Sequence, residues 1–334
     1  MAVTNSSQVP EVHPSSNFAV DTVDVLASTR TALARLTALM SVVGCALFGV
    51  AGTASAFPGG DSRGELSFGG LSRTYLVHAP SGTDRPSGLV VNLHGAGSDG
   101  AGQAASTNYG AAADALGFVV VYPDGVDQSW ADGRGASIPD RQGVDDVGFL
   151  TALVDRLVRD YGIPPGRVFA TGMSAGGFMA SRLACDRADV FAAVAPVAAT
   201  LGSGVGCNPS RPVSVLAFNG TADPVVPFAG GGMVGRGGPS DILAAPALSA
   251  RWRDIDRCAS APVEDDLPSA GDGTSVHRFS GVGCADGTAV VLLQINGGGH
   301  TWPTGNFSLP GAGLTTTATN ASLASAQFFA AHGR

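Results

Sequence analysis

Arg167-Val168-Phe169-Ala170-Thr171-Gly172-Met173-Ser174-Ala175-Gly176 is the stretch on which the fold turns. Its first half is a short apolar run suited to a buried strand. Its second half is a Gly-x-Ser-x-Gly turn leading into Phe178, Met179 and Leu183, which take helical spacing. Strand, sharp turn and helix in that order set a serine at the carboxyl end of a sheet strand. Glycine is needed on both sides because side chains there would collide with strand and helix. Gly60-Asp61-Ser62-Arg63-Gly64 matches the same pattern, but Pro58 and no strand precede it, so context selects Ser174.

Outward from this turn, residues 89–93, 118–122, 191–195 and 213–218 are further short apolar runs, the kind that strands buried on both faces require. Residues 65–68 and 73–78 read as an antiparallel hairpin joined at Gly69-Gly70. Between the later runs lie helical stretches. The clearest is 145–161, where Val147, Leu150, Leu153, Val154 and Leu157 recur at i, i+3, i+4 spacing, with Asp145 and Asp146 suited to the positive end of its dipole. A short helix at 248–256, a strand at 289–295 and a closing helix at 321–331 continue the alternation. The expected fold class is α/β: a mostly parallel central sheet with helices on both faces. The Gly-rich segment 220–240 is expected to be a loop, mobile over a site. Its Gly230-Gly231-Gly232-Met233-Val234-Gly235 matches a dinucleotide fingerprint only by composition, since it neither ends a strand nor opens a helix.

The chain of 334 residues carries 44% hydrophobic and 14% charged residues, the balance of a folded globule. All 19 basic residues are Arg, and the formal net charge is −8 with no basic cluster, which argues against nucleic acid or an anionic membrane surface as partner. Residues 1–56 read as an export signal: Arg30 and Arg35, an apolar run at 36–50 and a small-residue cleavage site at Ala54-Ser55-Ala56. A catalytic domain at 57–334 would follow. Val42-Val43-Gly44-Cys45 offers an alternative lipoprotein box, and membrane attachment is expected only if Cys45 is lipidated. Secretion is favoured because Ala46-Leu47-Phe48 prolongs the apolar run. Four cysteines remain beyond this segment, Cys185, Cys207, Cys258 and Cys284, which allow three connectivities. Sequential pairing, Cys185 with Cys207 and Cys258 with Cys284, closes the short loops and is preferred. None has metal-ligand spacing.

Acyl transfer needs a nucleophile, a base and two donors aimed at the nascent oxyanion. Ser174 supplies the first. Of six histidines, only His300 stands in a loop after a late strand, behind Gly297-Gly298-Gly299, where an imidazole can meet the serine. Asp223 follows the strand at 213–218 and falls between Ser and His in the chain order this architecture uses. Asp241, Asp254 and Asp256 compete less well from loop or helix. His94-Gly95-Ala96-Gly97 directly follows an early strand, so the backbone N–H groups of Ala96 and Ala175 are the expected oxyanion hole, with Gly95 as the fallback for Ala96. Trp130 and Trp302 are candidates for the substrate pocket, with core packing the competing role. No cofactor or metal is expected.

Leu93-His94-Gly95, Tyr122-Pro123-Asp124-Gly125, Val144-Asp145-Asp146-Val147-Gly148-Phe149, Gly172-Met173-Ser174-Ala175-Gly176-Gly177, Gly220-Thr221-Ala222-Asp223-Pro224-Val225-Val226-Pro227 and Gly297-Gly298-Gly299-His300-Thr301-Trp302-Pro303 stand in an order that resembles the polyhydroxybutyrate depolymerase-like esterases, relatives of feruloyl and acetylxylan esterases. The resemblance implies an α/β-hydrolase fold and cofactor-free hydrolysis of carboxylic esters through a Ser-His-Asp triad; separately, a monomer is expected. Short 3-hydroxybutyrate oligomers are the favoured substrate, and plant cell-wall esters the alternative. Family members that attack solid polyester carry a further substrate-binding domain, whereas only 34 residues follow His300 here. A secreted binding protein with a vestigial triad would be expected to lack a catalytic residue, and none is missing.

Overall fold

Strands β3 (Gly88–Leu93), β4 (Phe118–Pro123) and β5 (Val168–Met173) form the middle of the sheet because their residues are apolar on both faces. In the computed structural model, which describes residues 59–334 apart from 84, 260 and 307, β3 and β4 are buried along their whole length. The period-two side-chain alternation of β3 sends Leu89, Val91 and Leu93 into one core and Val90 into another.

The opening hairpin is β1 (Gly60–Phe68) with β2 (Leu71–Ala79), and Gly69 and Gly70 both take positive φ in its two-residue turn. β6 (Ala193–Val197), β7 (Ser214–Gly220) and β12 (Val290–Asn296) extend the parallel centre, with Val215 opposite Val290. β11 (Ser275–Ser280) and β10 (Val263–Asp266) return antiparallel at the far edge. The full sheet has ten strands in the order β1-β2-β4-β3-β5-β6-β7-β12-β11-β10.

Helices cover both faces. α4 (Asp146–Tyr161), α5 (Ala175–Asp186) and α6 (Ala245–Ile255) bring Leu150, Leu153, Leu157, Met179, Leu183, Leu248 and Trp252 into the core that holds Leu89, Val91 and Val121. α2 (Tyr109–Leu116) and α7 (Ala321–Ala331) cover the opposite face with Tyr109, Ala113, Ala326 and Phe329, in the core that holds Val90 and Val120. α1 (Gly100–Thr107) and α3 (Ile138–Gln142) complete the α-helices among the described residues. The disulfides are Cys185 to Cys207 and Cys258 to Cys284, the sequential pairing.

One expectation fails. The Gly-rich segment expected as a loop contains an antiparallel hairpin, β8 (Gly231–Gly235) with β9 (Gly238–Ile242). Its anchors are Met233 and Ile242, which bury against Phe178, Ala199 and Val226. Two apolar residues among many glycines make too faint an alternation to announce strands, yet they suffice once a surface exists to receive them. The export segment expected at 1–56 lies outside the described residues. Among the described residues no helix is long and apolar enough to cross a membrane.

Candidate active site

Parallel strands place their carboxyl ends along one edge of a sheet, and the loops leaving β3, β5, β7 and β12 share that edge. Ser174 stands between β5 and α5 at φ 53° and ψ −120°, a conformation that costs energy for any L residue. The chain is held in it from both sides, by the Ser174 N–H donating to Val197 O at 2.9 Å and the Phe178 N–H donating to Ser174 O at 2.9 Å. A Cβ on Gly176 would lie 2.1 Å from Leu93 O, and one on Gly172 would lie 2.6 Å from both Leu93 O and the carbonyl carbon of Gly176. The serine turn is pressed against the end of β3, and only glycine fits between them.

Asp223 and His300 come from loops stitched to one another. The Ala222 N–H donates to Gly298 O at 2.9 Å, and the Gly297 N–H donates to Thr221 Oγ1 at 2.9 Å. His300 Nδ1 lies 2.8 Å from Asp223 Oδ2, with both side chains buried. The other carboxylate oxygen, Oδ1, accepts the N–H groups of Val225 and Val226 at 2.8 Å each. Asp223 is therefore fully engaged and its orientation fixed, which in turn fixes the imidazole. Asp256, a weaker candidate by sequence, is buried beneath the sheet end at Val213, whose N–H it accepts at 3.1 Å.

The turn after β3 is braced by a second loop. His94 Nε2 accepts the Gly125 N–H at 2.9 Å, Trp130 Nε1 donates to His94 O at 2.9 Å, and the Gly97 N–H donates to Gln128 O at 2.9 Å. With Nε2 an acceptor, the His94 proton resides on Nδ1 and points to Gly95 O, 2.9 Å away. Burial holds the imidazole below its ordinary pKa and so neutral. Among the described residues no acceptor engages the Ala96 N–H. The Ala175 N–H, at the first position of α5, has no intrahelical carbonyl to meet. Gly95 packs close by: a Cβ built on it would fall 3.6 Å from Ser174 Cβ.

A protein-family comparison identifies residues 71–226 as "Esterase PHB depolymerase". A protein of Nocardia uniformis subsp. tsuyamanensis named "Putative esterase NocK" is 34% identical over 266 residues, 73% of this chain and 74% of its own. The chain belongs to the PHB depolymerase esterase family. Feruloyl esterase C of Emericella nidulans is 30% identical over 68% of this chain and 76% of its own length. Feruloyl esterase B of Piromyces equi is also 30% identical, but this chain spans 42% of that longer protein. Among solved structures, the acetyl xylan esterase from Aspergillus awamori shares the fold, with a TM-score of 0.51 at 16% identity over 72% of this chain and 94% of that one. The esterase thus has the α/β-hydrolase architecture.

Of the two roles open to the esterase's tryptophans, their burial fits core packing. Trp130 is 0% exposed and Trp302 1%, and each indole N–H is engaged, that of Trp302 by Ser322 Oγ at 3.0 Å. Neither presents a surface to substrate, so both are core residues; Trp130 touches the site through the His94 carbonyl and by packing on the His94 ring, with centroids 4.8 Å apart. Asp146 is likewise more than a helix-start acid. It is buried against Arg73 and accepts the Ala131 N–H at 2.7 Å, while Arg73 also donates to Asp124 O and lies 3.8 Å over the Phe149 ring. This ion pair pins both ends of the bracing loop 124–131. Gly125, Gln128 and Trp130 as braces had no signal in spacing or periodicity; only the Tyr122-Pro123-Asp124-Gly125 block hinted at them. Among the described residues no cluster suited to a metal ion occurs.

Proposed function

We propose that this esterase acts through an acyl-enzyme. His300 Nε2 takes the Ser174 hydroxyl proton as Oγ attacks the ester carbonyl carbon. Asp223 orients the imidazole through Nδ1 and stabilises the imidazolium. The Ala96 and Ala175 N–H groups receive the oxyanion, and His300 returns its proton to the departing alcohol. Water, deprotonated by the same imidazole, then frees the acid and restores the serine. The observation that carries this mechanism is the buried His300–Asp223 pair on the sheet edge that also holds the strained Ser174 turn.

Short 3-hydroxybutyrate oligomers are the substrate class in best accord with the family's description. Feruloyl or acetylated cell-wall esters are the alternative, favoured by the names of relatives such as Feruloyl esterase C. A secreted enzyme, exported by residues 1–56, accords with two disulfides, which form in oxidising compartments. Initial rates on p-nitrophenyl acetate and butyrate, methyl ferulate and a soluble 3-hydroxybutyrate oligomer, for wild type and Ser174→Ala, test both levels. Loss of turnover in the variant supports the serine mechanism, and the ratio of the last two substrates selects the class. Turnover that survives the substitution sinks the mechanism.

A further inference from the structure

The β8–β9 hairpin is locked in place, and its tip carries a cation to the candidate oxyanion turn. Met233 and Ile242 anchor its body on Phe178 and Val226, which lie a few residues beyond Ser174 and Asp223 in sequence. Arg141 Nη1 donates to Gly237 O at 2.9 Å and Ala136 O at 2.6 Å, which fixes the tip. From that tip Arg236 lies across Gly97: a Cβ there would stand 3.5 Å from Arg236 Cδ and 3.8 Å from Nε. Gly97 follows directly on Ala96.

The guanidinium is held by one corner only. Arg236 Nη1 donates to Asp127 O at 2.6 Å and reaches the Asp127 carboxylate at 3.4 Å. Asp127 and Gln128 both have positive φ, 51° and 53°, so two successive left-handed residues turn one carbonyl to Arg236 and the next to the Gly97 N–H. Among the described residues the Nε and Nη2 groups of Arg236 meet no acceptor, and the side chain is 46% exposed. That leaves the Nε/Nη2 edge, which matches a carboxylate with two parallel hydrogen bonds, open to a ligand. The cleft of about 190 Å³ beneath the tip is lined by Arg141 as well as Arg236, with Asp127 its one acid. Among the lining residues two cations face one acid, while Asp99 and Asp124 act on His94 in the neighbouring turn.

We infer that Arg236 is a specificity-determining residue that pairs with a carboxylate carried by the ester substrate near its scissile bond. This rests on the triad mechanism proposed above. Such a carboxylate can be the chain end of a hydroxyalkanoate oligomer or a uronate on a polysaccharide, and the shared chemistry is an anion within reach of the reacting carbonyl.

The test compares kcat/KM within matched pairs: 3-hydroxybutyrate trimer as free acid and as methyl ester, and acetylated xylo-oligosaccharides with and without a uronate. Wild type should favour the anionic member of at least one pair by about tenfold, and the pair concerned identifies the source. The preference should shrink with added NaCl, fall to about one in Arg236→Gln and survive in part in Arg236→Lys. Equal rates within both pairs for wild type, or a ratio unmoved by Arg236→Gln, overturns the inference while leaving the triad intact. The wild-type ratio and its salt dependence decide the matter even if a variant fails to fold. Absence of turnover on every member by wild type, or turnover that persists in Ser174→Ala, would instead remove the triad mechanism and this inference with it.

Discussion

The Gly125 backbone N–H donates to Nε2 of His94 at 2.9 Å, and this bond sets the tautomer of a buried imidazole at the candidate oxyanion turn. Replacing His94 with Phe keeps bulk beside Trp130 but leaves the Gly125 N–H without its acceptor. The turn should shift by a fraction of an ångström. We expect kcat on p-nitrophenyl acetate to fall roughly 10- to 100-fold with KM little changed. A kcat within twofold of wild type would show that the turn does not depend on this bond. Protonation of His94 would set a second N–H against that of Gly125. Wild-type activity should therefore have an acid limb below the ordinary histidine value of 6.5 that His94→Phe lacks.

Asp223→Asn preserves size and burial but disturbs the tautomer of His300. By analogy with triads in which this change has been made, kcat should drop about 10⁴-fold while the protein remains folded. Steady-state rates together with circular dichroism would check it. A loss below tenfold would mean that Asp223 does not orient the base.

Gly176→Ala would bring a methyl group to 2.1 Å from Leu93 O and 2.7 Å from His94 O, both rigid backbone. The expected destabilisation is about 3 kcal/mol, and activity should fall with it. Urea unfolding of the variant, if indistinguishable from wild type, would show that β3 can retreat from the serine turn without cost.

Burial pushes the Asp256 carboxyl up to about 6 from an ordinary 3.8, with Asp286 adding to the rise. Because the folded-state value is the higher one, the folded chain binds this proton more tightly than the unfolded chain. Its contribution is most favourable below about pH 4, declines between pH 4 and 6, and stays low above that. Asp256→Asn should remove this decline and raise the urea midpoint at pH 7 relative to that at pH 4. Parallel midpoint curves for the two proteins would show that Asp256 does not carry the effect.

Each disulfide ties a loop, with sequence separations of 22 for Cys185–Cys207 and 26 for Cys258–Cys284. Replacing either pair with serine should cost about 3 kcal/mol, chiefly by freeing the unfolded chain. Melting of the two double variants under non-reducing conditions would measure this, and unchanged melting would rule that contribution out.

The sequence by itself determined the elements whose signals are short in range. Continuous apolar runs announced β3, β4 and β5, the Gly69-Gly70 pair announced the first turn, and the glycines around Ser174 announced a turn that the close approach of Leu93 O explains. Buried strands and tight turns constrain residues within a few positions of one another, so the constraint is written locally. The candidate catalytic residues were legible for the same reason, since each follows a recognisable strand. Tertiary structure alone decided what depends on distant partners. Met233 and Ile242 make strands only because Phe178 and Val226 receive them. Trp130 and Trp302 became core rather than pocket because the His94 carbonyl and Ser322 take their N–H groups. Arg236 meets Gly97 from a distant part of the chain, and no local pattern encodes a contact whose two halves come together only after the sheet has formed.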